Sequence, residues 1–174
     1  MKNTSKLWGF IAFVAVIGFS FASCDQNIND DDNKKLPAGK YNTTSAEEAV
    51  YVGNQNNVTA ALTQLNTVTS PSFTVNDDGV ITDLSLGSFL AWASGAVVQY
   101  RFTLSGNVLN FQVKEYGAND FTAWGKAWTS GGSNVEYKQR IDGNFSSGVV
   151  RLTLRYQRTD NQGSAYRAYE LKKQ

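Results

Sequence analysis

The chain has 174 residues with 16 basic and 15 acidic side chains, no histidine and one cysteine, Cys24. Those two shortages exclude Ser-His-Asp and Cys-His catalysis, zinc sites built from cysteine and histidine, and any intrachain disulfide, and no cofactor is expected. Lys2 and Lys6 fall in an N-terminal leader, which leaves 14 basic against 15 acidic groups, and the one loose basic grouping, Arg151, Arg155 and Arg158, is too sparse for nucleic acid to be an expected partner.

Residues 1–23 read as a signal peptide: a positive start at Lys2 and Lys6, an apolar run from Leu7 through Phe21, then small residues at Ala22 and Ser23. The run is short for a helix that spans a bilayer. Phe21-Ala22-Ser23-Cys24 resembles the bacterial lipobox, with Phe21 where leucine is usual. The resemblance implies that Cys24 becomes the lipidated N-terminus, carrying acyl chains of the palmitate type. Each buried CH₂ then contributes about 0.8 kcal/mol to attachment, and the expected partner is a membrane. Residues 24–35 are almost devoid of apolar side chains and read as a disordered acidic tether. A cysteine followed by Asp30-Asp31-Asp32 resembles the export signal of surface lipoproteins of the Bacteroidetes type, which implies a lipid-anchored place in the cell envelope, at the outer membrane and exposed on the surface. The alternative is that the aspartates only solvate a linker. Calcium binding is disfavoured, because the run lacks the turn glycine and terminal glutamate of an EF-hand loop.

Leu36-Pro37-Ala38-Gly39 marks the start of one folded domain, 36–174. A first strand is expected near Gly39–Thr43. The next stretch is ambiguous: Ser45 and Glu48 can form a helical capping box, while residues 48–53 equally suit a strand. Val58, Ala61, Leu62 and Leu65 share one helical face, so a short helix is expected there. From residue 72 the chain alternates strands with turns. Phe73–Val75 and Val80–Leu86 flank Asn76-Asp77-Asp78-Gly79; Val98–Leu104 and Val108–Glu115 flank Ser105-Gly106-Asn107; Val135–Ile141 and Val149–Tyr156 flank a turn placed over 142–148; Ala165–Lys172 closes the chain. Tyr100, Phe102 and Leu104 share a face, as do Leu109, Phe111 and Val113, and Val150, Leu152, Leu154 and Tyr156. Consecutive antiparallel strands with one apolar face make this an all-β protein. With a short helix near its N-terminal end, such a chain can close into a single up-and-down barrel or pack as a β-sandwich, and strand pattern does not choose between them; the resemblance described next implies the barrel.

The segment Ile141-Asp142-Gly143-Asn144-Phe145 through Arg155-Tyr156, with the strand that follows, resembles the C-terminal half of lipocalin-like domains in bacterial lipoproteins. That resemblance implies a small barrel that binds an apolar or amphipathic ligand without catalysis. Gly39-Lys40-Tyr41 stands where lipocalins carry Gly-x-Trp. Residues 121–128, taken as one strand, put Trp124 and Trp128 on a common face as a stacking surface that Trp92 and Tyr116 can join, and aromatic faces of this kind also suit a glycan. Packing in the core is the competing role for both indoles. Arg167 shares the inward parity of Tyr169 and Leu171, which suits an anionic ligand head or an aromatic ring. Glu115, Asp120, Glu136 and Asp142 are the carboxylates left for hydrolysis, and no spacing selects a pair. The expectation is therefore a non-enzymatic ligand-binding lipoprotein, with a carbohydrate-binding accessory protein or a structural, adhesive subunit as alternatives; its oligomeric state is not encoded in any recognisable pattern.

Overall fold

The computed structural model describes residues 34–90, 97–123, 126–129 and 135–174. In chain order the strands are β1 (Lys34–Lys35), β2 (Gly39–Ala46), β3 (Val50–Gly53), β4 (Ser72–Val75), β5 (Val80–Ser85), β6 (Val97–Ser105), β7 (Val108–Glu115), β8 (Thr122–Ala123), β9 (Lys126–Thr129), β10 (Glu136–Ser146), β11 (Val149–Arg158) and β12 (Gly163–Lys173). The helix α1 (Thr59–Thr67) lies between β3 and β4. Eight strands close a ring in the order β2-β4-β5-β6-β7-β10-β11-β12, each antiparallel to the next, and β12 returns to β2. The architecture is an up-and-down β-barrel with one helix, and the sandwich alternative is set aside by that closing pair.

Alternation explains the wall. Val150, Leu152, Leu154 and Tyr156 on β11 are fully buried while Arg151 is exposed, so one face of the strand lines the interior and the other meets water. Tyr41, Phe73, Phe102 and Phe111 stack successively across β2, β4, β6 and β7, with ring centroids 4.9, 5.0 and 5.2 Å apart. Such ring pairs favour offset and tilted contact beyond the area they bury.

The two ends of the barrel differ. At one end the strands are joined by short turns at 76–79, 106–107 and 147–148, and both the start of β2 and the chain terminus lie there. We call this the hairpin end. The turn expected over 142–148 is much shorter than that: β10 continues to Ser146, and only Ser147 and Gly148 turn, with φ of 53° and 79°. Two positive φ values match the right-handed twist of the flanking strands, which lets the ladder run to its last residue. Gly143, inside the region expected to turn, is instead a strand glycine. A Cβ there would come within 2.9 Å of the Arg151 carbonyl oxygen and 3.3 Å of the Leu109 side chain, so only glycine allows these strands to approach.

Lys34 and Lys35, expected in the tether, pair with Leu104 and Thr103 of β6 and take up the edge that β5 leaves free beyond Arg101. Leu36 then buries completely, and the Tyr41 hydroxyl donates to the Pro37 carbonyl at 2.7 Å, so the first folded residues plug the hairpin end.

Five tyrosines gain a pH dependence from this packing. Burial pushes Tyr156 and Tyr169 up to about 12 and also raises Tyr41, Tyr100 and Tyr137. The folded state keeps these protons where the unfolded chain, titrating near 10, gives them up. The resulting stabilisation is complete below pH 10 and is lost as pH rises toward 12. A titration followed by tyrosinate absorbance and circular dichroism should show ionisation of the buried rings coinciding with loss of β-structure above pH 10; ionisation at pH 10 with the fold intact would refute this.

Candidate functional site

The opposite end, which we call the helix end, is where the barrel departs from a plain cylinder. β10 pairs with β7 only at Asp142, Gly143 and Asn144. Above that level the two strands part. β8 pairs with β7 through Ala123 and Thr122, and β9 pairs with β10 from Glu136 to Gln139. β8 and β9 thus stand on the facing edges of β7 and β10 at this end, so those two strands lie further apart here than at the hairpin end, where they pair directly. The seam between β5 and β6 is also short, with two ladder positions, Val80↔Arg101 and Ile81↔Tyr100.

The helix α1 and the 3₁₀ turn Gly87–Leu90 cover this end. Of the expected helical face, Val58, Ala61 and Leu65 bury fully and Leu62 partly; Val68 adds to them, and Phe89 sends its ring down onto Tyr156 at 5.0 Å. Polar bonds fix the cover at both ends of the helix. At its start the Tyr137 hydroxyl and Arg158 Nη1 each donate to the Asn57 carbonyl at 2.9 Å. At its end Arg167 Nη1 donates to the carbonyls of Leu65, Asn66 and Val68 at 3.2–3.4 Å, and the Tyr169 hydroxyl donates to Val68 at 2.8 Å. A cation at a helix C-terminus satisfies carbonyls that have no partner within the helix and opposes the negative end of its dipole.

Beneath the cover lies Gln139, fully buried on β10 between Tyr137 and Ile141. Its Nε2 donates to the Phe89 carbonyl at 2.7 Å and to the Tyr156 hydroxyl at 3.1 Å, while its Oε1 has no hydrogen-bond partner. A buried acceptor without a donor costs about 1–3 kcal/mol. Gln139 escaped the reading of the sequence, although its signal was present: it is the polar residue at an inward position of a strand whose neighbours at that parity, Tyr137 and Ile141, are apolar.

The residues singled out in the sequence fall in different places. Cys24, Trp92 and Trp124 lie outside the described residues. Trp128 pairs in the ladder with Tyr137, on β9. The single strand expected over 121–128 is instead two, β8 and β9, which belong to different ladders on either side of residues 124–125. The period-2 argument for a face shared by Trp124 and Trp128 therefore does not carry across that break. Tyr116 sits in the turn after β7 and is 85% exposed, away from the interior. Arg167 keeps its inward parity, with its guanidinium 5.5 Å from the Tyr169 ring, but its Nε and Nη1 donate to main-chain carbonyls of Glu47, Leu65, Asn66 and Val68, which ties the side chain to the helix cover.

Three other arginines lie beside acids. Arg151 pairs with Glu47, Arg155 lies 3.8 Å from Asp142, and Arg158 pairs with Asp160, holding that carboxyl down to about 2. Glu115, Asp120, Glu136 and Asp142 are all exposed, and no cluster of three or more metal-ligating side chains occurs among the described residues. No family model matches the chain, and neither a curated protein nor a solved structure proves similar to it.

Proposed function

We propose that the protein is a non-catalytic carrier of a small apolar or amphipathic ligand, held at its helix end, and that Cys24 anchors it by lipid to the cell envelope. The observation that carries the carrier reading is the asymmetry of the barrel: one end is plugged by Leu36 and tight turns, while at the other β7 and β10 part and a nine-residue helix, which buries only Ala61 and Leu65, forms the cover. Short elements with few buried residues are drawn from the low-stability end of a structure, where opening costs least. A tether entering at the hairpin end leaves the helix end facing away from the membrane, which suits exchange of a ligand with the surroundings.

The test is titration of the purified chain with a neutral apolar fluorophore, N-phenyl-1-naphthylamine, together with native mass spectrometry for a co-purifying molecule. Saturable 1:1 binding with Kd near about 1 μM, or about 8 kcal/mol, supports the reading. Linear, non-saturating partition with no bound molecule rejects it.

A second reading, contact with protein, is favoured by β3. Val50, Tyr51 and Val52 are 41, 44 and 59% exposed on a strand that, among the described residues, pairs only with β12. The segment reads the same in both directions about Tyr51, so a second copy can add to this edge antiparallel, with Val50 opposite Val52. Sedimentation over a concentration series checks this: dimerisation that Val52→Lys abolishes would support it, and a monomer throughout would dismiss it.

A further inference from the structure

We propose that Gln139 Oε1 is the polar anchor of the ligand site, and that the ligand is uncharged and presents a hydrogen-bond donor, a hydroxyl or an amide N–H, at the end that reaches the barrel. This rests on the carrier reading above and names the chemistry of its ligand.

Both N–H groups of Gln139 are committed, one to the Phe89 carbonyl and one to the Tyr156 hydroxyl. Turning the amide over would set its oxygen against the Phe89 carbonyl oxygen, acceptor against acceptor, so the orientation is determined by its partners. What the side chain offers is therefore an acceptor with two lone pairs and no donor, on a residue with no exposed surface. A ligand group that completes it must bring a hydrogen. An ester, ketone or ether cannot do so.

Charge is excluded by the surroundings. The buried side chains among the described residues are apolar or aromatic, apart from Thr103 and Gln139, and none is an acid or a base other than tyrosine. Of the two arginines bordering the helix end, Arg158 is engaged through all three of its nitrogens by Asp160 and Asn57, and Arg167 is held through Nε and Nη1 on the carbonyls of Glu47 and the helix terminus, itself only half-buried. A carboxylate reaching Gln139 would lose its water, find no cation and face the Oε1 dipole with like sign. An ammonium would find one neutral oxygen and no counter-charge. A hydroxyl or an amide N–H loses far less on leaving water and gains the bond that Oε1 lacks. The aromatic rings of Tyr137, Phe89 and Tyr156 around the amide then take the apolar part of the same molecule.

The experiment is displacement of N-phenyl-1-naphthylamine from the whole chain by three ligands that share a ten-carbon chain: decanol, methyl decanoate and decanoate at neutral pH. Decanol should displace the probe at a concentration about tenfold lower than methyl decanoate, the worth of one net hydrogen bond, and decanoate should be the weakest. In Gln139→Met, similar in length and without donor or acceptor, the preference of decanol over the ester should vanish. If this variant does not fold, the ranking on the native chain decides alone. Equal displacement by all three, or decanoate the strongest, overturns the proposal while the carrier reading stands. A decanol preference that survives in Gln139→Met overturns it by placing the donor site elsewhere. Failure of the probe to bind at all rejects the carrier reading itself.

Discussion

Phe102→Ala is expected to cost about 3–5 kcal/mol of folding stability, against a total of about 5–15 kcal/mol for a domain of this kind. Phe102 is 1% exposed and lies at the centre of the ring series, 5.0 Å from Phe73 and 5.2 Å from Phe111. Truncation removes its own buried surface and leaves a void, because β4, β6 and β7 are held apart by their ladders and cannot close in. Urea unfolding should show a lower midpoint with an unchanged slope. Tyr116→Ala is the internal control: the ring is 85% exposed, and the change should stay within about 0.5 kcal/mol. A loss under about 1 kcal/mol for Phe102→Ala would mean that the interior at this level is loosely packed, contrary to its ring contacts.

The second large effect is local. Arg167→Met keeps the length of the side chain and removes its donors to Glu47, Leu65, Asn66 and Val68. Hydrogen bonds from a charged donor contribute about 1.5–3 kcal/mol, so the helical cover should open about 10- to 100-fold more often. Amide hydrogen exchange at 59–68 should accelerate by that factor while the amides of β11 keep their native rates. Because Arg167 acts on the cover and not on the wall, uniform acceleration of both would contradict the assignment. Unchanged exchange in α1 would show that Ala61 and Leu65 hold the helix by burial alone. The same variant should release a bound probe faster if ligand leaves through the helix end.

Much of the wall was legible in the sequence because its strands obey a period of two. On β11 and β12 every inward position that was expected to be apolar is buried, and the helical face of Val58, Ala61 and Leu65 is the face that packs. Legibility failed where two ladders divide one stretch of chain. Residues 121–129 alternate as a single strand would, and the local mark of the change from pairing with β7 to pairing with β10 is Gly125, which period-2 alternation passes over. It failed also at 142–148, where Asp, Gly, Asn and Ser suggest a loop but the partners Thr153, Leu152, Arg151 and Val150 extend the ladder. Turn propensity is a local preference of modest size, and a run of cross-strand bonds outweighs it.

The sequence by itself determined which faces turn inward, where a helix interrupts the strands, and that neither imidazole nor, beyond Cys24, thiol chemistry is available. Side-chain alternation carries that information because it depends only on the geometry of one strand. The tertiary structure decided what stands opposite each face. Closure of β12 on β2 made a barrel of strands that a sandwich would have served equally, and unequal pairing of β10 with β7 and β9 parted the wall at one end. It also turned Arg167 from an inward cation into the lock on the helix and left Gln139 a buried oxygen without a donor. The hydrogen bonds of those two side chains join residues 17 to 120 positions apart, from Gln139 with Tyr156 to Arg167 with Glu47, and no local pattern in a single strand encodes them.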